Sequence, residues 1–167
     1  TEEAHVDHLE GPEKTVAMVR NIMEPVGRMN GDSLPVSAFV DYAAGTFQQG
    51  AAAYEKRGVS VTVPEWTAET CAQCNQCAYV CPHATIRPYT LSAEEAAAAP
   101  EGTKMVDHKM SKGKYKYALA VSPLYCLGCS VCVSVCPTKA LKMVGHESQL
   151  GEQKVFDYMV KEVTVKS

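Results

Sequence analysis

All eight cysteines of this 167-residue chain fall in two short runs, and their spacing suits the binding of iron–sulfur clusters. Each run has the spacing Cys-x2-Cys-x2-Cys-x3-Cys-Pro. The cysteines are Cys71, Cys74, Cys77 and Cys81 in the first run, and Cys126, Cys129, Cys132 and Cys136 in the second. A cubane cluster needs four thiolates at the corners of a tetrahedron, and three cysteines spaced by two residues offer three of them from one loop. The two runs therefore predict two [4Fe–4S] clusters as cofactors.

The fourth cysteine of each run is carried away from the other three by the segment that follows. In two-cluster ferredoxins with this spacing, the fourth cysteine ligates the other cluster. We therefore predict two crossed ligand sets, called here the first site and the second site. The first site consists of Cys71, Cys74, Cys77 and Cys136, and the second site of Cys126, Cys129, Cys132 and Cys81. Because neither half completes a site alone, the two halves must fold together.

Zinc and disulfides are the alternatives for these cysteines. Structural zinc prefers paired Cys-x2-Cys knuckles, and eight cysteines could hold two zinc ions. That arrangement gives no role to the middle cysteine of each run or to the Cys-Pro step. Disulfide-rich secreted proteins spread their cysteines to join distant segments, whereas cysteines two or three residues apart are poor disulfide partners. The clustering favours metal binding in a reducing compartment.

The elements that position the cysteines form an internal repeat. Residues 65–90 and 121–145 each read as a ligand loop, a short helix at the end of the run and a short strand. Tyr115 to Val121 alternates in polarity and predicts a strand that leads into the second run. We predict an α+β fold: a bacterial ferredoxin-like core for two [4Fe–4S] clusters, with an N-terminal extension and an inserted loop. The predicted boundaries are 1–64 for the extension, 65–145 for the core with its insertion at about 91–114, and 146–167 for a C-terminal tail.

The flanking regions carry their own local signals. Glu13 to Met23 has apolar residues at helical spacing, with Pro12 beside its first turn. Residues 33–58 predict short turns or extended chain. Val59 to Val63 alternates with polar residues and predicts a strand that ends at Pro64. Ser92 could cap a short helix that stops before Pro100. Residues after Gly151 predict a final short helix.

Five lysines give the insertion a basic character. They are Lys104, Lys109, Lys112, Lys114 and Lys116. A solvated loop explains such a stretch, and docking of an acidic electron carrier is the functional alternative.

The overall charge and hydropathy exclude other classes of partner. A formal net charge of −3 is unlike that of a basic nucleic-acid binder, and no run approaches 18 apolar residues, so we expect neither nucleic acid nor membrane as a partner. The acidic start, Thr1 to His5, lacks the basic and apolar segments of a secretory signal. We expect a cytoplasmic protein.

Residues 71–84, Cys-Ala-Gln-Cys-Asn-Gln-Cys-Ala-Tyr-Val-Cys-Pro-His-Ala, resemble the ferredoxin-type domain of pyruvate:ferredoxin (flavodoxin) oxidoreductase. Gly31-Asp-Ser-Leu-Pro-Val-Ser-Ala-Phe and Tyr54-Glu-Lys-Arg-Gly resemble the stretch before that domain. Val121-Ser-Pro-Leu-Tyr-Cys resembles its approach to the second cluster. The sequence departs from the family at Ala44, Leu127 and Ser130-Val131, none of which is a cysteine.

This resemblance implies a larger machine around the chain. Family members decarboxylate pyruvate on thiamine diphosphate, form acetyl-CoA and pass electrons through three [4Fe–4S] clusters to ferredoxin or flavodoxin. The thiamine diphosphate and the third cluster are expected in a domain that is absent here and that would follow residues 163–167. The chain alone should transfer electrons without turning over pyruvate. Two alternatives remain: a freestanding ferredoxin or electron-transfer subunit of another oxidoreductase, and a structural module that the clusters merely brace.

Overall fold

The computed structural model of the protein describes residues 11–166, which belong to two compact units divided between Arg57 and Gly58. The acidic segment in which we found no secretory signal lies outside the described residues. None of the helices in residues 11–166 has the length and apolar character needed to cross a membrane.

The first unit begins with one continuous helical segment. It comprises α1 (Glu13–Met18), a π-helical turn (Val19–Met23) and α2 (Glu24–Gly27). The predicted helix is therefore present and runs four residues further than expected. Pro25 has no N–H to donate and its ring crowds the preceding turn, which accounts for the wider π-helical turn before it. Short 3-10 turns follow at Gly31–Ser33, Val36–Tyr42 and Ala51–Tyr54, as expected for residues 33–58.

The second unit is built on two antiparallel pairings that interlock the repeat. Strand β1 (Thr62–Trp66) pairs with β5 (Leu141–Gly145), and β2 (Ile86–Leu91) pairs with β4 (Lys116–Val121). Strand β3 (Val106–Asp107), which lies in the predicted insertion, pairs with the other edge of β4. Each long pairing thus joins a strand before one cysteine run to a strand after the other run.

Three helices lie in the connections between these strands, and a fourth follows β5. They are α3 (Gln76–Tyr79), α4 (Ala93–Ala98), α5 (Val131–Val135) and α6 (Glu152–Glu162). The short helices α3 and α5 lie at the end of the cysteine runs, as predicted. The predicted cap of α4 is a complete capping box, because Glu95 N–H donates to Ser92 Oγ at 3.2 Å and Ser92 N–H donates to Glu95 Oε2 at 2.8 Å. Helix α6 has 11 residues and is longer than expected.

The alternation along β4 separates two cores. Tyr117, Leu119 and Val121 pack with the residues around the cysteine loops, including Trp66, Ile86 and Leu141. Ala118 and Ala120 pack with residues of α6, namely Val155, Phe156 and Met159. The cysteine loops therefore lie on one face of β4 and α6 lies on the other.

The predicted position of the first strand is wrong by several residues. Val59 and Val61 precede β1 and are 59% and 84% exposed, whereas β1 continues through Pro64 to Trp66. Proline is tolerated here because β1 belongs to a two-stranded ribbon and has a free edge, where a missing N–H breaks no ladder hydrogen bond.

Candidate metal centres

The eight cysteines line two separate cavities in the second unit. One cavity is lined by Cys71, Cys74, Cys77 and Cys136, the other by Cys81, Cys126, Cys129 and Cys132. Each cavity thus collects three cysteines from one run and the fourth cysteine of the other. These are the same groupings as the first site and the second site predicted from the spacing.

The chemistry and grouping of the cysteines suit a cluster. Within residues 11–166, no three His, Cys, Asp or Glu side chains are close enough to hold one ion. Structural zinc requires sulfur ligands at about 2.3 Å from the metal, which would draw four sulfurs tightly together. A cubane cluster fills a larger volume and keeps its thiolates further apart. All eight cysteines are free thiols, so the donor set and its spacing both suit [4Fe–4S] clusters.

Each loop wraps its cavity by placing two residues in the left-handed backbone region. In the first run these are Gln73 (φ 60°) and Asn75 (φ 59°), and in the second run Gly128 (φ 68°) and Ser130 (φ 63°). This turn directs the N–H of Gln73 to Cys71 Sγ, and that of Gly128 to the Sγ of the equivalent cysteine, both at 3.4 Å. Backbone donors of this kind stabilise thiolate sulfur.

Gly128 also lies against the chain that crosses the second loop. A Cβ at this position would be 2.9 Å from the Thr62 carbonyl oxygen and 3.1 Å from Ser60 Cβ. The second loop therefore packs directly on the segment that leads into β1, and only a residue without a side chain fits there.

The fourth cysteine of each run has a matching environment. Thr85 N–H donates to Cys81 Sγ at 3.3 Å, and Ala140 N–H donates to Cys136 Sγ at 3.2 Å. Thr85 Oγ1 also lies 3.2 Å from Cys81 Sγ. Sequence reasoning missed the role of Thr85, although its place four residues after the last cysteine of the run was visible.

The shifted pKa values among the cysteine thiols divide into two groups. Burial raises the pKa of Cys77 to about 12 and that of Cys132 to about 11, and negative charge on neighbouring cysteines adds to both. Burial likewise raises the pKa of Cys126. Burial opposes ionisation of Cys81 and Cys136 too, but hydrogen bonds from Thr85 and from Ala140 and Thr138 lower their pKa overall. Since metal ligation requires thiolates, cluster assembly must release protons from the buried cysteines.

Apolar and aromatic side chains surround both sites. Trp66 and Tyr117 line the first cavity and meet edge to face, with 6.0 Å between ring centroids. Tyr117 also donates its hydroxyl hydrogen to Asn75 Oδ1 at 2.8 Å, which ties β4 to the first loop. The second cavity is lined by aliphatic residues that include Ile86 and Leu127. The buried members of this lining, Trp66, Tyr117 and Ile86, limit the access of water, which is one of the factors that set the potential of a cluster.

The five lysines of the insertion have several different neighbours. Lys104 lies 3.7 Å from Glu65, and Lys116 pairs with Asp107 at 2.7 Å. Lys109 Nζ donates to the Cys71 carbonyl oxygen at 3.0 Å, beside the first site. Lys114 Nζ lies over the Tyr115 ring, 4.8 Å from its centroid, and Lys112 is in the left-handed region at φ 50°. Two of the five charges are thus compensated by carboxylates.

Two family models match the chain. One describes a 4Fe-4S dicluster domain and matches residues 70–140. The other, named EKR, describes a domain of unknown function and matches residues 4–60.

Curated relatives match most of the chain. It is 51% identical over 142 residues to a pyruvate-flavodoxin oxidoreductase from Klebsiella pneumoniae, covering 84% of this chain and 12% of that protein. It is 46% identical to a pyruvate:ferredoxin oxidoreductase from Moorella thermoacetica, covering 77% of this chain and 11% of the relative. It is 41% identical to a pyruvate dehydrogenase [NADP(+)] from Cryptosporidium parvum, covering 85% of this chain and 7% of that protein. The chain therefore spans roughly an eighth or less of the length of these relatives.

Proposed function

The chain belongs to the family of pyruvate-flavodoxin and pyruvate:ferredoxin oxidoreductases and contains a 4Fe-4S dicluster domain. From this premise we propose that it relays electrons within such an enzyme. The observation that carries the proposal is the grouping of eight thiols around two cavities, three from one run and one from the other in each. Each site would hold one [4Fe–4S] cluster, with Cys71, Cys74, Cys77 and Cys136 as ligands of one and Cys126, Cys129, Cys132 and Cys81 as ligands of the other. A cluster bound at either site supplies a centre that accepts and releases one electron at a time.

The protein residues make these sites suitable for electron transfer. Backbone N–H groups point at Cys71, Cys126, Cys81 and Cys136 and stabilise their sulfurs without moving when the charge changes. Buried Trp66, Tyr117 and Ile86 exclude water, so little solvent rearranges when an electron arrives. Because each run supplies ligands to both sites, the two centres are held at a fixed separation by the same short helices, α3 and α5.

The surrounding machine follows from the relatives. We assign residues 65–145 to the two-cluster domain, with the insertion at about 91–114, residues 1–64 to an N-terminal extension and residues 146–167 to a tail that leads toward a thiamine diphosphate domain. Electrons would come from that domain, through a third cluster held there, and would leave to ferredoxin or flavodoxin. The relatives' names support pyruvate as the oxidised substrate of the whole enzyme. A cytoplasmic location suits eight free thiols, because disulfides rarely form in a reducing compartment.

The insertion offers a docking surface for the acidic carrier. Lys112 and Lys114 carry positive charges in the loop beside Lys109, and charge steering would speed the encounter with a negatively charged partner. Replacing Lys112 and Lys114 together by Glu should slow electron delivery to flavodoxin at low ionic strength and leave it unchanged at high ionic strength. Equal rates for the variant and the original chain at low ionic strength would remove these lysines from the docking surface.

The proposal is tested by exchanging one ligand at a time. In Cys136→Ser the first site loses the ligand that arrives from the second run, and in Cys81→Ser the second site loses the ligand that arrives from the first run. We expect each variant, loaded anaerobically, to keep one cluster that is reversibly reduced and to lose or convert the other. Ser134→Ala is the control, because its hydroxyl donates to the Ser130 carbonyl oxygen and not to a cysteine sulfur.

The identity of the affected site distinguishes crossed from uncrossed ligation. The NMR signals of the cysteine β-protons report which site is affected. If Cys136→Ser perturbs those of the loop that carries Cys126 and Cys129 and spares those of the loop that carries Cys71, the crossed assignment is wrong. Clusters that form in the unaltered chain but cannot be reduced reversibly would instead favour a bracing role over electron transfer.

A further inference from the structure

The two sites are related by the repeat, but the insertion contacts only one of them through a set of hydrogen bonds in the described residues. Gln73, in the first loop, donates from Nε2 to the Asp107 carbonyl oxygen at 2.8 Å and accepts from the Lys109 N–H at 2.9 Å. Lys109 Nζ then donates to the Cys71 carbonyl oxygen at 3.0 Å. Gly128 occupies the place of Gln73 in the second loop and has no side chain to make the same contacts. The insertion therefore fixes one ammonium group at the backbone of the first ligand of the first site.

A second cation distinguishes the same site. Lys139 follows Cys136, the fourth ligand of the first site, and adopts φ 56°. The equivalent place after Cys81, the fourth ligand of the second site, is occupied by Ala84 at φ 50°. The repeat thus has a lysine three residues after the fourth ligand of the first site and an alanine at the equivalent place of the second, whereas Lys109 belongs to the insertion and has no equivalent position in the other half.

The other nearby charges leave this difference in place. The Asp107 carboxylate is neutralised by Lys116 at 2.7 Å. Arg87 and Lys142 hold equivalent positions in the two halves, and Lys142 pairs with Glu65 at 2.9 Å. Lys142 is thus neutralised, whereas Arg87 donates to the Ala84 carbonyl oxygen and lies over the Phe156 ring of α6, on the face of β4 away from the cysteine loops.

Two features act in the opposite direction and are weaker. Glu69 lies two residues before Cys71 and is exposed, as Lys109 is, so water screens both charges, but Lys109 is held at the loop by its hydrogen bond to the Cys71 carbonyl oxygen. Thr85 Oγ1 lies 3.2 Å from Cys81 Sγ and favours added charge at the second site, whereas Thr138 Oγ1 is 3.9 Å from Cys136 Sγ. A neutral hydroxyl dipole interacts with added negative charge less strongly and over a shorter range than a full positive charge does.

We propose that Lys109 favours reduction of the first site, so that a single electron shared between the two sites resides mainly at the first. With a cluster bound at each site, one electron passing between them would oxidise the second site by one unit and reduce the first by one unit, and no proton would move. The positive charge of Lys109 favours the additional negative charge of a reduced first site by Coulomb attraction. This inference rests on the proposed electron-transfer function and adds to it which of the two sites is reduced more easily.

The test measures where a single electron resides in the cluster-loaded chain. The chain is reduced by one electron on average under anaerobic conditions, and the hyperfine-shifted β-protons of the cysteines, assigned to each loop by NMR, report the electron's distribution between the sites. Lys109→Gln removes the charge, and Lys109→Arg keeps it. Lys161→Gln is the matched control, because Lys161 is exposed on α6, on the far side of β4 from the cysteine loops.

We expect Lys109→Gln to move the electron toward the second site, with a fall in the ratio of first-site to second-site occupancy of about three- to tenfold at low ionic strength. Lys109→Arg and Lys161→Gln should leave the ratio within twofold of the original. An unchanged ratio in Lys109→Gln overturns the proposal. A shift of equal size in Lys109→Arg also overturns it, because the contact geometry rather than the charge would then decide.

This outcome is separate from the fate of the electron-transfer proposal itself. If neither site can be reduced in the unaltered chain, the proposed function fails before Lys109 is tested. If both sites are reduced reversibly and the ratio does not respond to Lys109, only the role of Lys109 is refuted.

Discussion

Gly128 offers the sharpest structural test of how the second loop is held. Its backbone has φ +68°, and a Cβ would lie 2.9 Å from the Thr62 carbonyl oxygen and 3.1 Å from Ser60 Cβ. Gly128→Ala therefore adds two costs: about 1–2 kcal/mol for an L-residue in the left-handed region, and about 1–3 kcal/mol for forcing the packed segments apart. Together these destabilise the loop by about 2–5 kcal/mol.

Gly102→Ala is the matched control for this variant. Gly102 has φ +82°, and nothing lies within 4 Å of the position of its Cβ. The control therefore carries the backbone cost without the steric one. If a steric cost of about 2 kcal/mol raises only the free energy of the cluster-loaded protein, the rate of cluster loss differs roughly 30-fold between the two variants.

The assay follows cluster loss at a fixed temperature without air, using the visible absorbance and the iron retained after desalting. We expect Gly128→Ala to lose iron from the second site well before Gly102→Ala does, while the first site persists longer. Equal rates in the two variants would show that the segment at Ser60 and Thr62 does not hold the loop, which would refute the packing argument.

Two further predictions concern single side chains. Glu95 accepts hydrogen bonds from Thr164 N–H and Oγ1 at 3.0 Å and pairs with Lys166; although burial opposes its ionisation, these partners lower its pKa from 4.5 to about 2. The resulting stabilisation of the folded state is at most about 3 kcal/mol, and about 1–2 kcal/mol after solvent screening. It is complete above pH 4.5 and is lost as the pH falls toward 2. Glu95→Gln should show the same loss at pH 7, measured as faster proteolysis of the segment after α6, and unchanged cleavage would contradict this prediction. Thr85→Val removes the hydroxyl that can donate to the unprotonated Cys81 sulfur. Since a neutral hydrogen bond contributes about 0.5–1.5 kcal/mol, the reduction potential of the second site should fall by about 20–60 mV in a redox titration. Thr138 Oγ1 lies 3.9 Å from Cys136 Sγ, so Thr138→Val should change the potential of the first site less, and the reverse order would refute the role of Thr85.

Much of the second unit could be predicted from local patterns. The capping residues Ser92 and Glu95 can be recognised in the sequence, because a capping box needs fixed residue types at a fixed spacing. Strand β4 was predicted to within one residue, since its alternation reflects two different cores on its two faces. The spacing of the cysteines also indicates which of them the fold can bring together, because ligand chemistry restricts the loop geometry.

Other features depend on contacts between residues distant in the sequence. The first strand was predicted too early because alternation at Val59 and Val61 cannot reveal that both side chains are exposed. The lysines of the insertion were grouped by sequence, but Lys104 and Lys116 pair with carboxylates, whereas Lys109 contacts the first loop. Gln73 joins segments 34 and 36 residues apart, and no local pattern marks such a contact.

The most direct test of the account is the metal content and spectrum of the chain prepared without air. We predict about eight irons and about eight acid-labile sulfides per chain, and a low-temperature EPR spectrum of the reduced chain that shows two interacting [4Fe–4S] clusters. A colourless, iron-free protein that holds zinc or disulfides at these cysteines would contradict the central claim.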